Sequence, residues 1–335
     1  VQNRKTVKRL KGKLNIIYRE YSDAINEPQC TQQLTKQVNT PYAVFVADDD
    51  FLVPSSLDKC ILFLEKNPEY SSAHGLGVKI QTKDDKLHGK IISCKKRPQE
   101  IKEEETASQR FLKFMEHADD VQYSVHRAQT LSLMYKNAHI YQNDKVFSCD
   151  LQPYGISVIS GKIKELDCLS LVRQKRWFEN RVTTTYQLNK YAWITHEKWL
   201  SNFYVYRDTL VDELIRQDRI TLEKAQQVVE QGFSIYLAKK MVSKCKKFYT
   251  EYSDAFSDVN DALTDNTVKR YQSLSRILRR KLRSLISGKP FFQDEMLSLP
   301  ALLHPSSPYY NEFMPIFRSV TVPTEGVELS TMCRE

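Results

Sequence analysis

Apolar runs and helical repeats alternate along the N-terminal part of the chain. Residues 42–47 are nearly all apolar, which is typical of a strand covered on both faces, and residues 14–21 predict an earlier strand. A helix is predicted between them at residues 27–38, and a second begins near Ser55, which has the spacing of a capping box with Asp58. Strands and helices that alternate in this way predict an α/β fold with a parallel sheet and crossover helices.

Shorter patterns predict the next elements. Residues 73–82 predict a strand, and the polar residues 84–86 predict a hairpin turn after it. Helices are predicted at residues 106–117 and 128–138, the second as a helical or mixed segment. Residues 155–163 have alternating apolar positions that fit a half-buried strand or a short helix equally well, so both assignments stay open.

Charged helical repeats replace this pattern beyond residue 181. The segments 209–219, 222–240 and 267–286 predict long helices. The region from Pro290 onward holds six of the 12 prolines and predicts an extended, partly disordered arm. The chain is therefore predicted to have an α/β domain at residues 1–180, a helical region at residues 181–289 and an extended tail at residues 290–335.

The composition fits a folded protein with acidic partners. Of the 335 residues, 41% are hydrophobic, which is enough for the core of one large or two modest domains. The net charge of +9 favours nucleotides, anionic lipid or nucleic acid as partners. The seven cysteines have no C-x-x-C spacing and the seven histidines are scattered, so we expect reduced thiols, no zinc site and a cytoplasmic location.

Three adjacent carboxylates, Asp48, Asp49 and Asp50, follow the apolar run 42–47. Charges cannot continue inside a covered strand, so we expect them at the edge of the sheet, where open α/β sheets bind ligands. Side chains alternate along a strand, so Asp48 and Asp50 would share a ligand while Asp49 points elsewhere. Carboxylate oxygens favour Mg²⁺, Mn²⁺ or Ca²⁺. The alternative is a solvated acidic turn before the next helix.

Four ordered segments carry a resemblance to a known family. They are TPYAVFVADDDFLVP, NPEYSSAHG, YSVHRAQ and GISVISGKIKELDCLSLVRQ, and the resemblance extends over residues 14–174. The chain resembles the family 2 glycosyltransferases with a GT-A fold, and more narrowly a bacterial subgroup with a DDD-type D-x-D motif. The resemblance implies a Rossmann-type, mostly parallel sheet flanked by helices, followed here by a helical C-terminal extension. It also implies transfer of a sugar from a nucleotide-sugar donor to an acceptor hydroxyl, with inversion.

The resemblance implies donor-binding roles for several residues. Asp48 and Asp50 would hold Mn²⁺ or Mg²⁺ on the donor diphosphate, and Asp49 would contact the donor beside them. Arg127 and His126 follow a short apolar run, from whose end Arg127 would reach a diphosphate oxygen. The alternatives are a surface salt bridge for Arg127 and a packing role for His126.

The resemblance also points to a catalytic base. Asp150, in the segment DLQP, stands where the family has an acidic residue that takes a proton from the acceptor hydroxyl. The family segment is shaped like ELLP, so the side chain here is one methylene shorter. The alternative is that Asp150 caps a turn before Pro153. Asp144 and Asp167 are weaker candidates for the base.

One departure from the family pattern concerns the start of the chain. Family members begin with two strands that carry residues for recognition of the nucleotide base, whereas the first strand predicted here, at residues 14–21, matches the family's third. We therefore expect the base pocket to be missing from this chain.

A basic amphipathic helix is predicted at residues 269–289. The positions of its apolar stripe are Tyr271, Leu274, Leu278, Leu282 and Leu285. Such a helix suits an anionic membrane face, and with it an enzyme that acts on saccharide or lipid-linked acceptors at the inner side of the membrane. Packing of the stripe on the protein core is the alternative, and no motif favours nucleic acid.

Two other functions stay open. A non-catalytic protein would bind membrane or nucleic acid through the basic helix and retain a degenerate transferase domain. A metal-dependent nucleotidyltransferase would also use paired carboxylates at strand ends. The ordered segments favour the glycosyltransferase over both.

Overall fold

The computed structural model describes most of the chain, namely residues 7–22, 25–83, 88–97, 102–118, 120–141, 144–175, 190–252 and 297–321. The strands are β1 (Tyr42–Ala43), β2 (Asp50–Leu52), β3 (Tyr70–Thr82), β4 (Ile91–Arg97), β5 (Val125–Arg127) and β6 (Lys162–Lys175). The helices are α1 (Glu27–Thr35), α2 (Pro54–Lys66), α3 (Ala107–His117), α4 (Ala128–Met134), a π-helix (Val146–Leu151), α5 (Gln152–Ser160), α6 (Lys190–Ile194), α7 (Trp199–Asp218), α8 (Leu222–Tyr252), α9 (Leu299–Leu302) and α10 (Tyr310–Thr321).

The strands form one mixed sheet in the order β1-β5-β3-β6-β2, and β4 pairs with β3 beside this path. The α/β class is therefore confirmed. The prediction of a mostly parallel sheet is wrong, because β3 and β6 are the one parallel pair among the described strands. β3 and β4 pair antiparallel, and the turn predicted at residues 84–86 lies outside the described residues.

The apolar run 42–47 is a strand only at its start. β1 lies at one edge of the sheet and β2 at the other, so residues 44–49 cross between the two edges without strand pairing. Asp48 and Asp49 lie in a turn within this crossing. An apolar sequence forms a strand only where a neighbouring ladder accepts its hydrogen bonds, which explains why the six-residue strand is not found here.

The strand predicted at residues 14–21 is also wrong. Residues 15–22 have no regular secondary structure, and the side chains of Leu14 and Ile17 are 58% and 69% exposed. Within the described part of the chain, no strand pairs with this segment.

Several predicted helices are confirmed, but the capping box predicted for Ser55 and Asp58 is wrong, because α2 begins at Pro54 after Val53 and has no side-chain cap. α1 and α3 begin at capping boxes formed by Asn26 with Gln29 and by Thr106 with Gln109. Segment 155–163, for which a strand and a short helix were both possible, contains parts of both. Helix α5 ends at Ser160, Gly161 follows, and strand β6 begins at Lys162. A Cβ atom at Gly161 would lie 2.6 Å from the backbone nitrogen of Ser71, so this close approach needs glycine.

The C-terminal helices α7 and α8 share a core with the helices that precede the last strand. Phe111 of α3, Phe147 of the π-helix, Tyr206 of α7 and Phe233 of α8 belong to one buried cluster. The expected helical character of residues 209–219 and 222–240 is confirmed. The segment 267–286 lies outside the described residues, and so does the basic helix predicted at 269–289. None of the described helices is long and apolar enough to span a membrane.

Residues 297–321 fold onto the sheet. The expectation of an extended tail is wrong for these residues, because α9 and α10 bury Phe313, Ile316 and Val320 against strands β3, β4 and β6. These three positions have helical spacing, and two prolines lie where helices tolerate them, Pro300 in the first turn of α9 and Pro308 before α10. Pro300 and Pro308 therefore indicate helix starts rather than an unfolded arm, whereas Pro315 lies inside α10.

Candidate active site

A cavity of about 770 Å³ lies between the sheet edge, the π-helix and α8. Its charged lining residues are Glu27, Asp120, Lys145, Asp150, Arg173 and Lys240. Its aromatic lining residues are Phe45, Tyr123, Tyr135, Tyr154 and Tyr236. Cavities of this size, largely aromatic and with a few convergent charged groups, are typical of small-molecule sites.

Asp150 lines this cavity from the π-helix, where the chain is wider than an α-helix. The N–H of Gln152 donates to the carbonyl of Phe147, five residues earlier. Pro153 follows, and a proline has no N–H to donate to the carbonyl four residues before it and clashes with that carbonyl in an α-helix. The proline therefore favours the wider turn that presents Asp150, and single π turns are frequent at functional sites.

Asp144 holds the start of the π-helix. Its carboxylate accepts hydrogen bonds from the backbone N–H groups of Val146 (3.1 Å) and Phe147 (3.3 Å), from the indole of Trp193 (3.0 Å) and from the amide of Asn202 (3.3 Å). The side chain is buried. Asp144 is therefore a capping residue, and the weaker suggestion that it acts as the base gains no support from this arrangement.

Asp50 lies in a buried network under the cavity. Its Oδ2 accepts hydrogen bonds from the hydroxyl of Tyr123 (2.6 Å) and from Nε of Arg173 (3.1 Å), and its Oδ1 accepts one from the backbone N–H of Gln174 (3.1 Å). Only 1% of the side chain is exposed. Both oxygens are thus engaged by protein donors, and Asp50 does not fit the role of a cation ligand in this arrangement.

Asp120 extends the network. Its Oδ2 forms ion pairs with Arg97 (2.6 Å) and Arg173 (3.1 Å), and the two guanidinium groups lie over the ring of Tyr123 at 5.6 and 4.8 Å from its centroid. Burial is the largest single effect and opposes the charge of Arg173, but Asp50, Tyr123 and Asp120 together outweigh it, so the pKa of Arg173 is raised. Burial and the hydrogen bond to Asp50 raise the pKa of Tyr123, which stays a neutral donor.

Asp48 and Asp49 lie beside the cavity without lining it. Asp48 is exposed and Asp49 is partly exposed, and the preceding Ala47 is part of the cavity wall. Among the described residues, no group of three or more His, Cys, Asp and Glu side chains is placed to hold a metal ion. The prediction of a cation held by Asp48 and Asp50 therefore gains no support from the arrangement of the triplet.

Arg127 lies at the end of α2, away from the cavity lining. Its guanidinium donates to the carbonyls of Leu64 (2.7 Å), Asn67 (3.1 Å) and Tyr70 (2.8 Å). A cation at the C-terminal end of a helix is stabilised by the unpaired carbonyls there. This contact explains Arg127 as a structural residue, and the predicted diphosphate contact gains no support.

His126 does not reach a cleft, because its side chain is fully buried. Its Nε2–H donates to the carbonyl of Val121 (3.1 Å), and its Nδ1 lies 3.5 Å from the hydroxyl of Ser157. The packing alternative therefore describes its place in the structure.

The sequence prediction missed most of the residues that line the cavity, among them Asp120, Lys145, Tyr236 and Lys240. Asp120 lies in a loop, Lys145 precedes the first residue of the π-helix, and Tyr236 and Lys240 come from α8. The spacing of Tyr236 and Lys240 places them one turn apart on α8, with the ammonium of Lys240 5.4 Å from the Tyr236 ring centroid. That spacing is visible in the sequence, but nothing in it indicates that α8 faces the π-helix.

Cys149 also lines the cavity, next to Asp150. Burial raises the pKa of its thiol to about 12, so the thiol stays protonated at neutral pH. A thiolate nucleophile is therefore not favoured, and the carboxylate of Asp150 is the stronger candidate for chemistry.

Comparison with known proteins adds no family to this picture. No protein-family model matches the chain, and no curated protein matches its sequence.

Proposed function

We propose that this protein is a glycosyltransferase that moves a sugar from a nucleotide-sugar donor to an acceptor hydroxyl. The observation that carries the proposal is the position of Asp150. The residue that the family resemblance marks as the base lines a cavity of about 770 Å³, and three cationic side chains, Lys145, Arg173 and Lys240, line the same cavity. A base and cations in one cavity are what transfer from a diphosphate leaving group needs.

The proposed reaction is a direct displacement with inversion. The acceptor oxygen forms a bond to the anomeric carbon while the bond from that carbon to the diphosphate oxygen breaks. The carboxylate of Asp150 takes the proton of the acceptor hydroxyl, and the nucleoside diphosphate leaves with the bonding electron pair. Cationic side chains stabilise the charge that develops on the diphosphate.

The finer fold assignment belongs to the same proposal. A mixed α/β sheet with helices is compatible with a GT-A-like domain, and the four ordered segments favour one. The use of Mn²⁺ or Mg²⁺ stays a prediction, with Asp48 as the exposed carboxylate of the triplet. We also propose a saccharide or lipid-linked acceptor and attachment to an anionic membrane face through residues 269–289.

The test is release of nucleoside diphosphate from a panel of UDP- and GDP-sugars by the full chain, with and without Mn²⁺. We expect release from one donor class. Asp150→Asn should slow the release roughly 100- to 10,000-fold and leave donor binding intact, because it removes proton transfer alone. Release of pyrophosphate instead would favour nucleotidyl transfer.

The matched control is Asp208→Asn. Asp208 is 60% exposed on α7 and pairs with Arg207 outside the cavity. The Asp208→Asn protein should release nucleoside diphosphate at the wild-type rate. Unchanged release in Asp150→Asn would contradict the proposed base.

A further inference from the structure

The guanidinium of Arg173 is fixed from three sides under the cavity. Its Nε donates to Asp50 (3.1 Å), its Nη1 donates to Asp120 (3.1 Å), and its Cζ lies over the ring of Tyr123 at 4.8 Å from the centroid. Such a side chain has already lost its rotamer freedom. A ligand that binds to it therefore costs little further ordering.

Arg173 keeps hydrogen-bonding capacity on the side of the cavity. It is 32% exposed and lines the cavity, whereas its neighbour Arg97 is 9% exposed and does not. Nε and Nη1 make the contacts to Asp50 and Asp120, and Nη2 donates no hydrogen bond within the described part of the chain. A guanidinium presents five N–H donors in all, so donors remain for a ligand.

Lys145, Arg173 and Lys240 are cationic groups of the cavity lining, and the carboxylates of Glu27, Asp120 and Asp150 line it as well. Arg97 and Arg173 are balanced by Asp50 and Asp120 in the buried network. Lys145 and Lys240 line the same cavity, and Lys145 lies 2.9 Å from Glu27. A fixed guanidinium that shares a cavity with two ammonium groups can donate hydrogen bonds to phosphate oxygens there.

We propose that Arg173 binds the diphosphate of the donor directly, and that Asp50 positions Arg173 instead of holding a cation. This inference rests on the proposed function and names the group that contacts its leaving diphosphate. Asp50 is a positioning residue, because its carboxylate accepts a hydrogen bond from Arg173, is buried and does not line the cavity. The third carboxylate of the triplet thus acts through an arginine.

The experiment measures binding of UDP and GDP to the full chain by titration calorimetry, in EDTA and in Mg²⁺. We expect the preferred nucleotide to bind in EDTA. Arg173→Lys should weaken that binding roughly 10- to 100-fold, because a lysine keeps the charge but loses the fixed fork of donors. Wild-type affinity in a folded Arg173→Lys protein would overturn the inference.

The matched control is Arg207→Lys. Arg207 also contacts an aspartate, Asp208 at 2.9 Å, and also lies 4.8 Å from a tyrosine centroid, that of Tyr204, but it does not line the cavity. The Arg207→Lys protein should bind the nucleotide with wild-type affinity. A thermal unfolding curve of each variant separates a folding defect from a binding defect.

Asp50→Asn provides a second test if Arg173→Lys does not fold. As a positioning residue, Asp50 should affect nucleotide affinity equally in EDTA and in Mg²⁺, so the ratio of the two affinities should equal that of the wild type. A cation ligand would behave differently, because its loss would abolish the Mg²⁺ effect. Loss of that effect in Asp50→Asn would overturn the inference.

The two proposals fail in different ways. Release of nucleoside diphosphate that depends on Asp150, together with nucleotide binding unaffected by Arg173→Lys, would overturn the role of Arg173 and keep the glycosyltransferase. Absence of nucleotide binding in any condition, with no release from any donor, would overturn both.

Discussion

His74 and His126 are two uncharged imidazoles in the sheet interior, on the adjacent strands β3 and β5. Nδ1–H of His74 donates to the carbonyl of Gly75 (2.9 Å), and Nε2–H of His126 donates to that of Val121 (3.1 Å). Burial lowers the pKa of each from 6.5 to about 4. Each imidazole is thus neutral in the native protein at a pH where it takes up a proton in the unfolded chain.

Stability should therefore fall as the pH is lowered from 6.5 toward 4. In this window the unfolded chain binds protons at His74 and His126 and the native protein does not, so acid favours unfolding. Between pH 6.5 and 5 the expected loss is about 2 kcal/mol for each histidine, taking 1.36 kcal/mol per pH unit. Denaturant unfolding at the two pH values measures it.

His126→Gln should reduce this pH dependence, and His117→Gln should not. His117 is exposed at the end of α3 and provides the surface control. If both variants lose the same unfolding free energy between pH 6.5 and pH 5, His126 does not cause the pH dependence.

At the scale of elements, the π-helix is the feature that the sequence did not predict. Pro153 indicates in the sequence that a regular α-helix is interrupted. The capping residue Asp144, however, is held by Trp193 and Asn202, which come from later helices. Helices with strong local signals, such as the capping box at Thr106, were predicted closely. Elements fixed by distant partners were not.

Asp144→Asn should lower the free energy of unfolding by about 3 kcal/mol, because an amide nitrogen would replace an oxygen that accepts buried hydrogen bonds. Chemical denaturation measures the change. Asp212→Asn, at an exposed position of α7, should leave the stability unchanged. An Asp144→Asn protein as stable as this control would contradict the capping role.

The candidate site was predicted in part for the same physical reason. Asp150 was identified from its sequence neighbours, and it lines the cavity. Asp50 and Arg127 were expected to face a ligand, yet they bond to Arg173 and to the end of α2, because partners brought by the fold decide which polar groups stay accessible. A sequence lists the polar groups, whereas their pairing depends on the tertiary structure.

At the scale of the whole molecule, residues 297–321 close the sheet. Besides the apolar contacts of α10, Glu312 accepts a hydrogen bond from the backbone N–H of Leu169 (3.2 Å), and the hydroxyl of Tyr309 donates to Asp167 (2.6 Å). Asp167, once a weak candidate for the base, is therefore joined to this segment. The segment belongs to the folded core.

Phe313→Ala should accordingly lower the free energy of unfolding by about 3 to 5 kcal/mol, the usual cost of removing a fully buried aromatic ring. The control is Asn311→Ala on the exposed side of the same helix. Thermal or denaturant unfolding compares the two. Equal stabilities would mean that α10 does not cover the sheet in solution.

The cavity draws its walls from distant parts of the chain, from Glu27 of α1 to Lys240 of α8. A fragment that ends with the sheet would keep Asp150 and Arg173 but lose the wall that carries Tyr236. Water would then reach the reacting groups and raise the local dielectric. The charge contacts that a closed, low-dielectric cavity strengthens would become weaker. Loss of activity in such a fragment would therefore reflect the lost cavity wall. It would not mean that the catalytic residues lie in the deleted part of the chain.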